Sequence, residues 1–309
     1  MEGEKIRDKI FSYWSEKTRR PALLAIVFFL VGLNSLVWGR IFFSAAGSDF
    51  LEIYALAVGH GDSQLIRLPG GAKVLIDGGP PNGNLLASLA DALPANDRRI
   101  DLAIISHPQA DHFGGFVELA KRYDIGLFLT NGRPSGQTAY QELERITEEK
   151  NIDFLPLARG DSIAYVGSRF DVLWPALGAA AAKDLNEEAL VVLLSSENAS
   201  ALFTGDIPAA TERKLAAFLP GPIDILKVAH HGSKNSSDSG FLKVARPRLA
   251  LIGVGKNSYG HPTAAVLERL AAVGSAVYRT DQDGTVRLAI DGRKIEVFKE
   301  GGVDLLKPE

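Results

Sequence analysis

The chain has 309 residues, 46% hydrophobic and 23% charged, with 34 Lys and Arg against 37 Asp and Glu for a net charge of −3. That length suits one large or two small domains, and that balance excludes a bulk polyanion binder, so any affinity for nucleic acid must sit in a local patch. There is no cysteine, which excludes disulfides and Cys-ligated zinc.

Residues 1–20 form a basic segment carrying Lys5, Arg7, Lys9, Lys17, Arg19 and Arg20. Residues 21–43 follow as a transmembrane helix, since the run from Pro21 to Gly39 holds no charge. At about 1.5 Å per residue it nearly spans a ~30 Å hydrocarbon core. Trp38 lies at one end, where its ring suits the interface, and the basic excess upstream puts the N-terminus in the cytoplasm and all beyond Arg40 outside. A cleaved signal peptide is the rival reading, because SAA at 44–46 resembles a cleavage site. The apolar run exceeds the roughly 7–15 residues of a signal core, which favours an uncleaved anchor.

One domain is expected over 48–300, with 301–309 as a tail. Strand-like runs fall at 50–58, 63–68, 72–77, 101–106, 125–130, 169–175, 189–196, 200–206, 224–231, 248–255 and 276–281. A closing hairpin over 285–298 turns at Asp291-Gly292. Helical spacing predicts helices over 84–93, 115–122, 138–150, 208–219 and 263–273, and 177–188 reads as a loop. Strands interrupted singly by helices indicate an α/β layered domain.

The six histidines fall in four places: His60, His107 with His112, His230 with His231, and His261. Three of these follow directly on an apolar strand, and His261 comes soon after one. Ligands at the ends of several strands can converge on one sheet edge. Each has a plainer reading: His60 as a packed or solvated residue, Asp206 as a helix cap, Asp77 as a turn former. Together these readings weaken, because each residue ends an apolar strand beside glycine. If 230–231 is extended, its two imidazoles point oppositely, and one of them faces any metal. In SHPQADHFGG (106–115), Gly114 and Gly115 are expected to let the backbone turn sharply into the next helix.

The ordered motifs VGHGDSQLI (58–66), LIDGG (75–79), SHPQADHFGG (106–115), LFTGDI (202–207), LKVAHHGS (226–233), NSYGHP (257–262) and YRTDQDGTV (278–286) resemble the metallo-β-lactamase-like domain of ComEC-type DNA-uptake proteins. The resemblance covers 51–290. It implies an α/β, four-layer αββα fold, two mixed sheets face to face with helices outside and a metal site at one edge. It further implies His107, Asp111, His112, Asp206, His230 and His261 as metal ligands, with Asp206 bridging. Asp77 is the acid that orients them, and His231 stands behind the ligands or faces substrate. Asp206, Asp111 and His231 form the implied catalytic set.

The chain departs from that pattern at four places. His60 replaces a common Gln, Ala57 a common Asp, and Gln109 an Asp or His, while Glu187, Glu188 and Ala189 replace much of an Asn- and Ser-bearing stretch. Gln109 offers only a neutral amide oxygen, which weakens one metal position and leaves the other, around Asp111, His112 and Asp206. Softened, oxygen-rich coordination favours Mn²⁺ or Mg²⁺ over Zn²⁺ for the one or two divalent ions. Lys227, Lys234, Lys243, Arg246, Arg248 and Lys256 form a basic cluster that is either a solvated face or a phosphate attractant, with Lys234 and Lys256 as substrate contacts. The resemblance favours a DNA phosphodiester as substrate and a channel protein as partner. The rival readings are a catalytically weakened module that binds DNA or a partner, and a hydrolase of a non-nucleic substrate.

Overall fold

The computed structural model describes Ala25 and residues 28–36, then residues 50–178, 182–197, 199–292 and 294–306. The chain divides into two compact units, Met1–Ala46 and Gly47–Glu309. In the first, residues 28–36 are helical, and Phe28, Phe29, Leu30, Val31, Leu33 and Leu36 are exposed. Among the described residues no helix is long and apolar enough to cross a membrane. Most of the expected 21–43 span, and all of the basic segment 1–20, lie outside the described residues.

The second unit contains sixteen strands among its described residues. In chain order they are β1 (Leu51–Ala55), β2 (Gln64–Arg67), β3 (Lys73–Ile76), β4 (Arg99–Ile105), β5 (Asp124–Thr130), β6 (Phe154–Pro156), β7 (Ser162–Tyr165) and β8 (Ser168–Trp174). They continue as β9 (Val191–Ser196), β10 (Ala199–Phe203), β11 (Ile225–Lys227), β12 (Leu249–Ile252), β13 (Ala276–Arg279), β14 (Val286–Asp291), β15 (Lys294–Lys299) and β16 (Gly302–Leu306). They form a nine-stranded sheet, β16-β15-β14-β1-β2-β3-β4-β5-β6, and a seven-stranded sheet, β13-β12-β11-β10-β9-β8-β7. Both are mixed. β3 to β6 and β10 to β13 run parallel, and the remaining neighbours are antiparallel. The helices are α1 (Asn84–Ala92), α2 (Ala110–Arg122), α3 (Thr138–Glu149), α4 (Ala209–Leu215), α5 (Ser239–Ala245), α6 (Ala264–Ala272) and α7 (Thr280–Asp283).

Strand alternation explains the layers. Side chains along a strand point to opposite faces with period two. On β9, Val192 and Leu194 enter a core shared with Ile53, Ile66 and Ile104 of the other sheet, while Val191 and Leu193 pack outward with Leu215, Phe241 and Leu270. On the nine-stranded sheet, Leu65, Leu75 and Phe128 pack outward against Phe113, Phe116 and Leu143 of α2 and α3. Strands buried on both faces read as continuous apolar runs, and three apolar layers separate four layers of structure, αββα.

Three expectations are corrected. The segment expected as a tail contains β16, paired antiparallel with β15 from Ile295↔Leu306 to Lys299↔Gly302. Helix α2 begins at Ala110, so Gly114 and Gly115 lie inside it and serve close packing in place of a sharp turn. Helix α4 ends at Leu215, short of the expected 219.

The glycine at 115 is required sterically. A Cβ there would lie far inside van der Waals contact with the carbonyl oxygen of Gly78, and neither the Cβ, fixed directly on the backbone, nor that backbone oxygen can swing aside. Alanine favours a helix over glycine by about 1 kcal/mol, but overpacking costs about 1–3 kcal/mol. Gly115→Ala should therefore lower the melting temperature by several degrees. A rise would show that helix propensity outweighs the clash.

Candidate metal centre

Parallel neighbours end on the same edge, so the C-terminal ends of β3, β4, β10, β11 and β12 deliver their following residues to one place. Asp77 follows β3, His107 follows β4, Asp206 follows β10, and His231 follows β11. Asp77 adopts a left-handed φ of 59°, and His230 and His231 adopt φ of 52° and 53°. Such backbone is uncommon outside glycine and persists where the surroundings hold it.

Asp77 anchors the first wall. Its Oδ1 accepts from the Ser106 backbone N–H at 2.8 Å, and its Oδ2 accepts from Ser106 Oγ at 2.8 Å and from His112 Nδ1 at 2.8 Å. With Nδ1 committed, His112 turns Nε2 inward, 3.3 Å from Asp206 Oδ2. His107 Nδ1 lies 2.9 Å from Ser106 Oγ, and its ring packs 4.1 Å from that of His112. Across the site His231 Nδ1–H donates to the Gly253 carbonyl at 2.8 Å. That leaves His231 Nε2 3.4 Å from Asp111 Oδ2 and 3.6 Å from Asp206 Oδ2.

Single ligand atoms from Asp62, His112, Asp206 and His231 lie within 4.8 Å of one another, and all four residues are buried. The Nε2 atoms of His107, His112 and His231 are buried with no hydrogen-bond partner. Buried polar atoms are nearly always bonded, so three lone imidazole nitrogens around carboxylates fit a divalent cation.

The electrostatics agree. Burial alone would lower the His112 pKa, but Asp206 and Asp77 overcome it and raise the value well above 6.5. For His231 the same contest between burial and the carboxylates of Asp206 and Asp62 also ends in a raised pKa. The field that draws protons onto these imidazoles also draws a metal cation. His107 is pushed down to about 3, first by burial and then by His112, so it is a neutral imidazole at pH 7. His261 is pushed down to about 4 by burial and by His230, His231 and His60.

The residues singled out from sequence separate into three groups. Asp111, His112, Asp206 and His231 meet at the centre, with Asp77 and His107 against them. His230 and His261 stand at the rim: His230 Nε2 is 3.9 Å from Asp206 Oδ2, and the two rings are 5.8 Å apart. His231, not His230, is the innermost of the adjacent pair, because left-handed backbone replaces the extended geometry assumed for it. Gln109 bonds elsewhere through its nitrogen, its Nε2 donating to Asn186 Oδ1 at 2.6 Å. Lys234 and Lys256 are exposed on the surface, apart from any ion pair among the described residues.

Lys227 is a correction. The sequence places it in a basic cluster open to solvent or phosphate, yet it is 1% exposed, pairs with the Asp62 carboxylate, and donates to the Gly205 carbonyl at 2.8 Å. Its Nζ is 3.6 Å from Asp206 Oδ1. Arg248 is likewise engaged, bonding Asp224 at 3.0 Å. Asp62 itself was missed. The signal was present, since Asp62 stands beside Gly61 shortly after an apolar strand, the same context that drew attention to Asp77 and Asp206.

A model of the metallo-β-lactamase superfamily matches residues 56–256. ComE operon protein 3 of Bacillus subtilis is 29% identical over 266 residues, covering 78% of this chain and 33% of that protein. Recombination protein 2 of Haemophilus influenzae is 30% identical over 271 residues, covering 86% of this chain and 32% of that protein. The chain thus spans about a third of the length of these relatives. Among solved structures, the metallo-β-lactamase fold protein YhfI of Bacillus subtilis superposes with a TM-score of 0.52 at 11% identity, covering 77% of this chain and 99% of that one.

Proposed function

We propose, because this chain belongs to the metallo-β-lactamase superfamily, that its Gly47–Glu309 unit is a metal-dependent phosphodiesterase acting on DNA. The observation that carries this reading is the buried set of Asp62, His112, Asp206 and His231 with its unpartnered imidazole nitrogens. Asp111, His112, Asp206 and His231 would hold the ion, with Asp77 fixing the His112 ring. A bound divalent ion supplies Lewis acidity and makes water a competent nucleophile at neutral pH.

The protein's own groups do the rest. Asp111 stays ionised at neutral pH: burial would raise its carboxyl, but the neighbouring His231 and His112 together hold it below the usual carboxylate range. Its side chain is 32% exposed, so it can reach a water or a substrate proton. His261, neutral at pH 7, offers a hydrogen-bonding edge at the rim. Tyr259 is 71% exposed and stacked 5.7 Å from His261, an exposed ring on which a base can stack. Lys234 and Lys256 supply exposed positive charge for phosphates. Membrane attachment through residues 21–43, with the hydrolase unit outside the cytoplasm, is supported by the basic segment before Pro21 and by the exposed apolar residues of 28–36. The names of the relatives, Recombination protein 2 of Haemophilus influenzae and Competence protein ComA of Neisseria gonorrhoeae, support DNA as the substrate, and a DNA-channel protein as partner is proposed on the resemblance of the motifs alone.

The test is turnover of single- and double-stranded DNA by the purified full chain with Mn²⁺, Mg²⁺ or Zn²⁺, alongside its metal content. Metal-dependent cleavage, lost with a chelator and restored by Mn²⁺ or Mg²⁺, is the expected result. Stoichiometric metal without cleavage of DNA would sink the nuclease reading. The neutral amide of Gln109, bonded to Asn186, favours one rival, a weakened module, and salt-sensitive DNA binding without turnover would establish it.

A further inference from the structure

We propose that His60 is an additional metal-binding side chain, entering the centre from the β1–β2 connection beside His231. This rests on the metal-centre reading above. From sequence His60 passes as a loop residue. The structure puts its ring centroid 4.6 Å from that of His231, tilted by 53°. Two imidazoles on one ion, with metal–nitrogen bonds near 2.1 Å, have centroids roughly 4.5–5 Å apart. His60 Nδ1 is buried with no hydrogen-bond partner, and so is Nε2 of the neighbouring His231 ring.

The backbone around His60 is built for close approach. Gly59 and Gly61 have φ of 93° and 155°. A Cβ on Gly61 would stand 2.5 Å from the Asp111 carbonyl oxygen, and one on Gly255 would stand 2.6 Å from the His60 nitrogen. The Asp62 N–H donates to that same Asp111 carbonyl at 3.2 Å. Three glycines and one hydrogen bond thus wedge the loop between the α2 turn and the end of β12. On its outer side His60 stacks with Tyr259 at 5.5 Å and faces His261 at 6.0 Å, so other rings limit its motion. A ring fixed this way loses little entropy when it binds an ion. An imidazole here is a stronger metal ligand than the neutral amide of Gln109.

Stacking alone is the competing role, and two substitutions in the full chain separate them. His60→Phe keeps the ring and removes the nitrogens; His60→Gln removes the ring. The readouts are calorimetric titration with Mn²⁺ and the visible absorption of bound Co²⁺. Both variants should bind Mn²⁺ at least about tenfold more weakly, the lower bound for groups that only support a ligand, with an altered Co²⁺ spectrum. Wild-type affinity and spectrum in His60→Phe would overturn the assignment, and it would do so alone if His112→Ala had lost binding. A wild-type chain that binds neither ion would overturn the metal-centre reading as well.

Discussion

Asp206→Ala should remove divalent-ion binding and with it all metal-dependent turnover, at any metal concentration tested. Asp206 approaches three imidazoles of the centre. Its Oδ2 lies 3.3 Å from His112 Nε2, 3.6 Å from His231 Nε2 and 3.9 Å from His230 Nε2. Its Oδ1 is buried without a hydrogen-bond partner, 3.6 Å from Lys227 Nζ. No other carboxylate approaches both His112 Nε2 and His231 Nε2 so closely among the described residues. Changing a residue that merely orients a ligand costs about 10–100-fold in affinity, so loss of this group should cost at least about 100-fold. Asp206→Asn separates charge from shape, since it fills the same space. It should also fail to bind Mn²⁺ by titration. In the metal-free protein burial would raise the Asp206 carboxyl, but His112 and His231 hold it well below 3.8. A depressed carboxyl gives stability that is present above its unfolded value and lost as pH falls through its folded value. The wild type therefore loses that contribution in acid, while the Asn variant has none to lose. Full turnover in Asp206→Ala would end the metal mechanism.

The parts of this molecule legible in its sequence are those governed by local pattern. Long apolar runs such as ALVVLLSS announce strands buried on both faces, and these became β9 and its neighbours. Short edge strands were not legible: β6 and β7 have three and four residues and are largely exposed, so no apolar alternation marks them. Helix α5 spans only seven residues and is marked mainly by the Asp238 side chain accepting from Gly240 and Phe241 N–H. At the site, the strand-end rule drew Asp77, His107, Asp111, His112 and Asp206 into one cluster. It failed where the answer depends on backbone handedness, as at His230 and His231, or on a distant partner. What the Gln109 amide nitrogen bonds is decided by Asn186, and whether Lys227 reaches solvent is decided by Asp62.

Lys227→Met should destabilise the metal-free protein by about 3–5 kcal/mol, the usual result of leaving one member of a buried ion pair behind. In a domain of this size that is roughly 10 °C in melting temperature. Methionine fills the space of the stem, so packing is nearly kept and the charge is what changes. Burial alone would lower the Lys227 pKa, but Asp62 and Asp206 overcome it, so the ammonium is charged throughout the neutral range. Without it, Asp62 stays buried beside the Gln64 amide, 3.5 Å from its Oδ1, and the imidazoles of His231 and His112, whose Nδ1 atoms are 3.5 and 4.0 Å from its Oδ2, with no permanent cation among these groups. The double change Lys227→Met with Asp62→Asn removes both charges and should recover most of the loss. A thermodynamic cycle over the four proteins, run without metal, isolates the pair. The same lysine competes with the cation. Two unit charges about 4 Å apart interact by about 4 kcal/mol at an effective dielectric of 20. Removing the ammonium beside Asp206 should therefore tighten Mn²⁺ binding, at least about tenfold, even as the fold weakens. The melting temperature of the single variant should then rise more on adding Mn²⁺ than that of the wild type, since ligand stabilisation grows with affinity. Weaker Mn²⁺ binding in Lys227→Met would reverse the argument and make the lysine a support of the centre, holding Asp62 and Asp206 in place for the ion.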